Sequence, residues 1–142
     1  MKNIYLILFA IAFLSVSCHD EPDWLGDNTT TEGRHFPVIS TLEVDQTFVS
    51  SGDVVEVDVR FWSIDPIMET QLIEKADGAS DFSIVQTVPY SFNFNEETQN
   101  EQLILNYTAP AVSDTTVYEI GARIVNENGL ERVSSETITI IP

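Results

Sequence analysis

The amino-acid sequence predicts an all-β protein whose main domain is an antiparallel sandwich of about seven short strands. From residue 37 onward, apolar and polar side chains alternate, as expected for strands that bury one face. Turn-forming residues recur about every 8–12 positions, and no helical periodicity persists over several turns. These observations favour two packed sheets over a helical or mixed fold.

The clearest strand extends from Asp53 to Trp62, after a turn at Ser51–Asp53. The segment from Val38 to Val44 precedes it and predicts a first strand that pairs with it. One face of the clearest strand is apolar and the other is polar apart from a tryptophan: Val55, Val57, Val59 and Phe61 lie opposite Glu56, Asp58, Arg60 and Trp62.

The segment from Ile67 to Glu74 allows two interpretations. Asp65 and Pro66 could begin a short helix, because proline suits the first helical position. Alternating side chains could instead form a strand. A loop at residues 76–80 and a β-rich run from Phe82 to Val88 follow, as in a hairpin. A strand that leads into a hairpin is therefore the favoured interpretation.

The second half of the domain predicts further strands separated by polar turns. Apolar side chains alternate with polar ones in four segments: Tyr90–Phe94, Leu103–Tyr107, Tyr118–Ile124 and Thr137–Ile141. The turn Asn126–Gly129 precedes the last of these. Every segment is short enough for one strand of a sandwich.

The pattern Y-x-I-x-A-x-I-x-N-x-x-G, from Tyr118 to Gly129, resembles the penultimate strand and turn of fibronectin type III and PKD-like domains. The resemblance implies an immunoglobulin-like antiparallel β-sandwich. Within it, Tyr118 is either the tyrosine that ties the strand to the preceding corner or an ordinary core aromatic. The WDFGDG stretch typical of PKD domains is absent, so no subfamily is assigned.

The N-terminus has the features of an export signal. Lys2 is followed by an almost continuous apolar run from Ile4 to Val16, which is too short for an ordinary membrane span. The sequence LSVSC then resembles the lipobox of bacterial lipoproteins, although Ser15 stands where leucine is usual. The resemblance implies that residues 1–17 are a lipoprotein signal peptide and that Cys18, the chain's only cysteine, receives the lipid.

Acidic residues follow the cysteine directly, at Asp20, Glu21 and Asp23. This arrangement resembles the export signal of Bacteroidetes surface lipoproteins, which implies an outer-membrane location facing the cell exterior. Residues 18–36 are rich in Gly, Asn, Thr and charge, and we expect a lipid anchor followed by a flexible acidic tether. Residues 37–142 would form the sandwich.

The charge balance excludes nucleic acid as a partner. The chain has 23 acidic and 6 basic residues, a net charge of −17. Such a surface repels phosphate groups, and it repels anionic lipid headgroups for the same reason. Membrane attachment is therefore expected to come from the lipid on Cys18.

The sequence lacks the residue sets that common catalytic sites require. Its two histidines, His19 and His35, lie in the anchor and tether segments, so a Ser-His-Asp triad or a zinc site is not expected. No phosphate-binding or dinucleotide-binding loop occurs. We therefore expect a protein that is not an enzyme and that has no obligatory cofactor.

Two groups of residues are candidate binding sites. Asp77 and Asp81 flank a glycine turn and are candidate Ca²⁺ ligands. Trp62, Tyr90 and Phe92 are candidates for stacking on sugar rings, because aromatic side chains on a polar face often mark a binding surface. Trp62 could alternatively pack beneath a loop or the Ile67–Glu74 segment.

The function expected from these features is that of a non-enzymatic cell-surface lipoprotein. It would act as an interaction or accessory module linked to polysaccharide uptake, with an outer-membrane protein or a polysaccharide as its partner. The alternatives are a protein that binds glycans directly and an adhesin or fibre subunit.

Overall fold

A computed structural model describes residues 24–142 and confirms an all-β fold of two sheets. The predicted signal peptide and Cys18 lie outside the described residues. Within them there are one short helix and nine strands: α1 (Trp24–Asn28), β1 (Val38–Val44), β2 (Phe48–Ser50), β3 (Val54–Trp62), β4 (Ile67–Ala76), β5 (Ser83–Pro89), β6 (Phe94–Asn95), β7 (Asn100–Thr108), β8 (Thr116–Asn126) and β9 (Glu131–Ile141). No helix in this part of the chain has the length and apolarity needed to cross a membrane.

The strands form a four-stranded sheet with the order β1-β3-β7-β6 and a five-stranded sheet with the order β2-β9-β8-β4-β5. Neighbouring strands are antiparallel except β2 and β9, which are parallel. The predicted number of about seven strands is corrected to nine in the described residues. Strand β2 has three residues, too few for an alternating pattern to reveal it, and the predicted strand Tyr90–Phe94 is corrected to β6, which begins only at Phe94.

The segment from Ile67 to Glu74 is part of strand β4, so the strand interpretation is confirmed. Strand β4 lies between β8 and β5 in the larger sheet. Its pairing with β5 shifts register between Leu72 and Ile73, which leaves Val85 without a partner residue on β4. The extra residue belongs to β5, and four consecutive residues of β4, Thr70–Ile73, are buried although the strand pairs regularly with β8 there.

The core lies between the two sheets, as the alternation predicts. The inner face of β3 is buried along its whole length, and side chains of β8 and β9 face it from the larger sheet. Tyr118 packs against this core. The fully buried members of the cluster from these three strands are Val55, Val57, Val59, Ile120, Ala122, Ile124, Ile138 and Ile140.

Strands β8 and β9 approach most closely at Gly121, where a Cβ atom would overlap the backbone carbonyl of Ser134. Relief of this overlap requires movement of the β9 backbone, since the obstructing atoms are not a flexible side chain. We therefore expect Gly121→Ala to lower the free energy of unfolding by about 1–3 kcal/mol. Urea denaturation measures this, and an unchanged midpoint would contradict the close approach.

The sandwich has two distinct ends. We call the end that meets the N-terminal segment the proximal end, and the opposite one the distal end. Residues 63–66, 90–93, 96–99 and 127–130 connect strands at the proximal end, and residues 51–53, 77–82 and 109–115 connect strands at the distal end.

The segment that leads into β1 is held against the proximal end by polar contacts centred on His35. The His35 amide donates a hydrogen bond of 2.7 Å to Oδ2 of Asp65, and its carbonyl accepts bonds from the side-chain amides of Asn126 and Asn128. Asn128 also donates to Asp65 at 2.8 Å. These contacts place the last part of the predicted tether on the domain.

Arg132 of β9 adds a second contact to the same segment. Its guanidinium lies 5.3 Å from the centre of the Phe36 ring and donates a 2.8 Å hydrogen bond to the side chain of Asn28. The N-terminal segment is thus fixed at two points along its path. Its position relative to the sandwich is determined from α1 onward.

The contact with Asp65 is expected to weaken in acid. The hydrogen bond from the His35 amide, followed by that from Asn128, lowers the pKa of the Asp65 carboxyl below its ordinary value. A depressed pKa stabilises the contact above the pKa of the unfolded chain, and this stabilisation is lost as the pH falls through the folded pKa.

We therefore expect the NMR chemical shift of the His35 amide proton to change below about pH 4, as the Asp65 carboxylate gains a proton. The downfield shift that the carboxylate causes should be lost at the lowest pH. An NMR titration of the wild type and of Asp65→Asn tests this. The amide side chain that the substitution introduces has no carboxyl proton to gain, so the variant should show no such inflection. The same inflection in both proteins would assign it to another group.

Candidate functional site

The predicted sugar-stacking residues differ in their exposure, and sugar binding by them stays a prediction. The Tyr90 hydroxyl donates a 2.8 Å hydrogen bond to Glu101, and its ring packs against the core. Burial, followed by this contact, raises the pKa of Tyr90 to about 12. Phe92 is 73% exposed and its ring stacks on that of Phe94. Trp62 is partly buried at the end of β3.

The predicted calcium ligands both lie exposed in the connection between β4 and β5. The Asp81 carboxylate accepts a 2.6 Å hydrogen bond from Ser80, and the Asp77 backbone amide donates to the Val117 carbonyl. A nearby ion pair of 2.7 Å joins Lys75 to Glu119. Among residues 24–142, no three His, Cys, Asp or Glu side chains are grouped so that they could hold a metal ion. Calcium binding stays a prediction.

Strand β5 is the most open element of the described fold. It is the outermost strand of the larger sheet and pairs only with β4. Six of its seven residues are exposed, including Ile84 at 51% and Val85 at 45%. Half of the backbone N–H and C=O groups of such an edge strand point away from the sheet and can pair with another chain.

The other edge strands of the two sheets are less suited to pairing with another chain. Strands β2 and β6 have only three and two residues. Strand β1 has seven residues, but its pairing with β3 shifts register at Ser40 and it carries Glu43. Charges and short length both reduce pairing with a foreign strand, whereas a register shift does not distinguish β1 from β5, whose pairing with β4 also shifts register. Strand β7 pairs with β6 only at Asn100 and Glu101, so its uncharged residues 103–108 are also unpaired on that side, but only three of its nine residues are exposed. Among the outermost strands of the described sheets, β5 alone combines length with a neutral sequence.

Strand β5 is also part of a longer neutral segment. From Phe82 to Asn95 there is no Asp, Glu, Lys or Arg, in a chain with 29 such residues. The segment covers β5, the crossing between the sheets and β6. Sequence reasoning identified its β-rich composition but not its edge position. The absence of charge was the signal available, because solubility normally favours charges on an exposed strand.

The interior behind β5 offers little space for a ligand. A cavity of about 40 Å³ lies between the sheets near Phe61, Thr70 and Tyr90. Pockets that hold small organic molecules usually measure about 300–1,000 Å³. The free strand edge, rather than this cavity, is therefore the candidate functional site.

Comparison with known proteins finds no matching family model and no matching curated protein. A solved chain from Thermotoga maritima, provisionally assigned as a superoxide reductase, is similar in structure. The TM-score is 0.49 and the sequence identity 15%, and the match covers 83% of this chain and 98% of that one.

The similar chain is assigned as a redox enzyme, so it lends no support to the expected non-enzymatic surface module for polysaccharide uptake. We withdraw that expectation as a correction. The likeness is too remote to assign an activity to this chain. The absence of enzymatic activity stays a prediction from the sequence.

Proposed function

We propose that the protein is a lipid-anchored envelope protein that binds an extended segment of another protein along the free edge of β5. The observation that supports this proposal is the exposed, uncharged edge formed by Ser83–Pro89. The segment would add a strand to the larger sheet, next to β5.

The binding energy would come from backbone hydrogen bonds and two apolar side chains. Each new hydrogen bond contributes about 0.5–1.5 kcal/mol net, and the contacts with Ile84 and Val85 add to this. Ordering the bound segment opposes these gains. We expect a dissociation constant on the order of 0.1 mM for a short peptide. Val85, which has no partner on β4, would set the register of the bound strand, because that strand must follow the bulge in β5.

The charge distribution indicates the chemistry of the partner. Asp81 lies just before β5, and Glu69 lies opposite Pro89 at its other end. A segment with an apolar, β-branched centre and basic flanks complements this arrangement. Two copies of the chain, each with a net charge of −17, repel one another. The expected occupant is therefore a different protein.

The test uses two synthetic peptides with the sequence of β5, one flanked by lysines and one by glutamates. NMR titration of the isotope-labelled protein should show shifts of the Ser83–Val88 amides with the basic peptide, and at least tenfold weaker binding of the acidic one. Shifts elsewhere, or none at millimolar peptide, would overturn the proposal. Dimerisation of the protein through β5 without peptide would also overturn it and identify a second copy as the occupant.

The proposal also includes the cellular location of the protein. The apolar run Ile4–Val16, the LSVSC sequence and the acids after Cys18 support export, lipid attachment at Cys18 and an outer-membrane position facing the exterior. An outer-membrane protein would then be within reach as the partner. Protease treatment of intact cells tests the exposure, and a fully protected domain would contradict it.

A further inference from the structure

The path of the chain brings the proximal end of the sandwich close to the bilayer. This step depends on lipid attachment at Cys18, as proposed above. Six residue steps separate Cys18 from Trp24, where α1 begins. Even a fully extended chain spans only about 21 Å over six residues. The segment after α1 is held on the proximal end by Asp65 and Arg132.

The proximal end carries exposed apolar side chains. Ile64, in the connection between β3 and β4, is 58% exposed. Phe92, in the crossing from β5 to β6, is 73% exposed, and Phe94, the first residue of β6, is 43% exposed. The two phenylalanine rings are stacked, with centroids 6.3 Å apart and planes within 5° of parallel. A large part of each of the three side chains is open to solvent.

We propose that this end of the domain rests on the membrane that holds the anchor, with Phe92, Phe94 and Ile64 in the interfacial layer of the bilayer. Aromatic side chains favour this layer, and full burial of one large apolar side chain contributes about 1.5–3 kcal/mol. Because the lipid on Cys18 already holds the domain at the bilayer, the three side chains need only orient it.

Charges near the aromatic pair indicate which lipids suit this contact. Glu96 and Glu97 are exposed in the turn between β6 and β7, directly after Phe94. These carboxylates would be repelled by anionic headgroups. The contact should therefore form on zwitterionic phosphatidylcholine and weaken when anionic phosphatidylglycerol is added.

The test uses the full-length lipidated protein in phosphatidylcholine vesicles. A nitroxide label is placed at Phe92→Cys, and a matched control label at Phe48→Cys. Phe48 is also 73% exposed, but it pairs with Thr139 in the distal half of β9. From Glu131 at the proximal end of β9 to Thr139 is on the order of 25 Å. Acylated Cys18 has no free thiol, so each variant takes one label.

Electron paramagnetic resonance with oxygen and a water-soluble nickel complex reports the depth of each label. We expect the label at residue 92 to be shielded from nickel and exposed to oxygen, and the label at residue 48 to behave as in water. Equal, water-like accessibility of both labels on vesicle-bound protein would overturn the proposed orientation alone. Protein that fails to float with the vesicles would instead contradict the lipid anchor.

Discussion

Ile84→Lys is expected to weaken binding of the lysine-flanked β5 peptide by at least tenfold. The substitution places a charge near the start of the free edge, where it repels a basic flank and must lose hydration when a strand is added. Because Ile84 is half exposed, the fold should tolerate lysine there. The measurement is the dissociation constant from NMR titration, with circular dichroism to confirm folding.

Ile104→Lys is the matched control for this variant. Ile104 is 54% exposed, so both substitutions change the same residue type at nearly the same exposure and add the same charge. It lies in β7, which pairs with β3 along most of its length and with β6 only at Asn100 and Glu101, so weakening by Ile104→Lys alone would place the peptide on β7 and not on β5. Equal weakening in both variants would show that net charge, and not the edge of β5, determines the affinity.

Cys18→Ala is expected to release the protein from the membrane almost completely. Anchoring by acyl chains depends on about 0.8 kcal/mol for each buried methylene, and the three side chains proposed to orient the domain offer far less apolar surface. The chain's net charge of −17 opposes binding to anionic lipid without the anchor. Fractionation of expressing cells, followed by mass spectrometry of the N-terminus, measures the effect.

Cys18→Ser is a closer steric match and should behave in the same way, because serine offers no thiol for acylation. Wild-type protein should lack residues 1–17 and carry acyl groups on Cys18. Membrane retention of either variant after loss of residues 1–17, or an unmodified cysteine in the wild type, would contradict the anchor.

Much of the fold could be predicted from the sequence because alternation reports directly on burial. Alternation assigns Val55, Val57 and Val59 to the inner face of β3, and all three are fully buried. The same reasoning could not detect β2, which pairs with β9 through only three residues. Such pairing depends on contacts about 90 residues apart in the chain, and no local pattern records them.

The candidate site was harder to predict than the fold. Alternation identified β5 as a strand but cannot tell whether a strand lies at an edge, because this depends on which strands pair. Tyr90 and Phe92 illustrate a second limit. They lie two residues apart and should share a face of a regular strand, but they follow the end of β5 in the crossing, where Tyr90 turns inward and Phe92 outward. The role of His35 was missed because its partners, Asp65, Asn126 and Asn128, are distant in sequence.

Hydrogen exchange of the β5 amides tests the central claim most directly. The outward-pointing amides of Ser83–Val88 should exchange rapidly in the free protein and become at least tenfold more protected when the lysine-flanked peptide is bound, whereas the amides of β7 should not change. If the β5 amides exchange equally fast with saturating peptide, no strand has been added there and the proposed binding site is wrong.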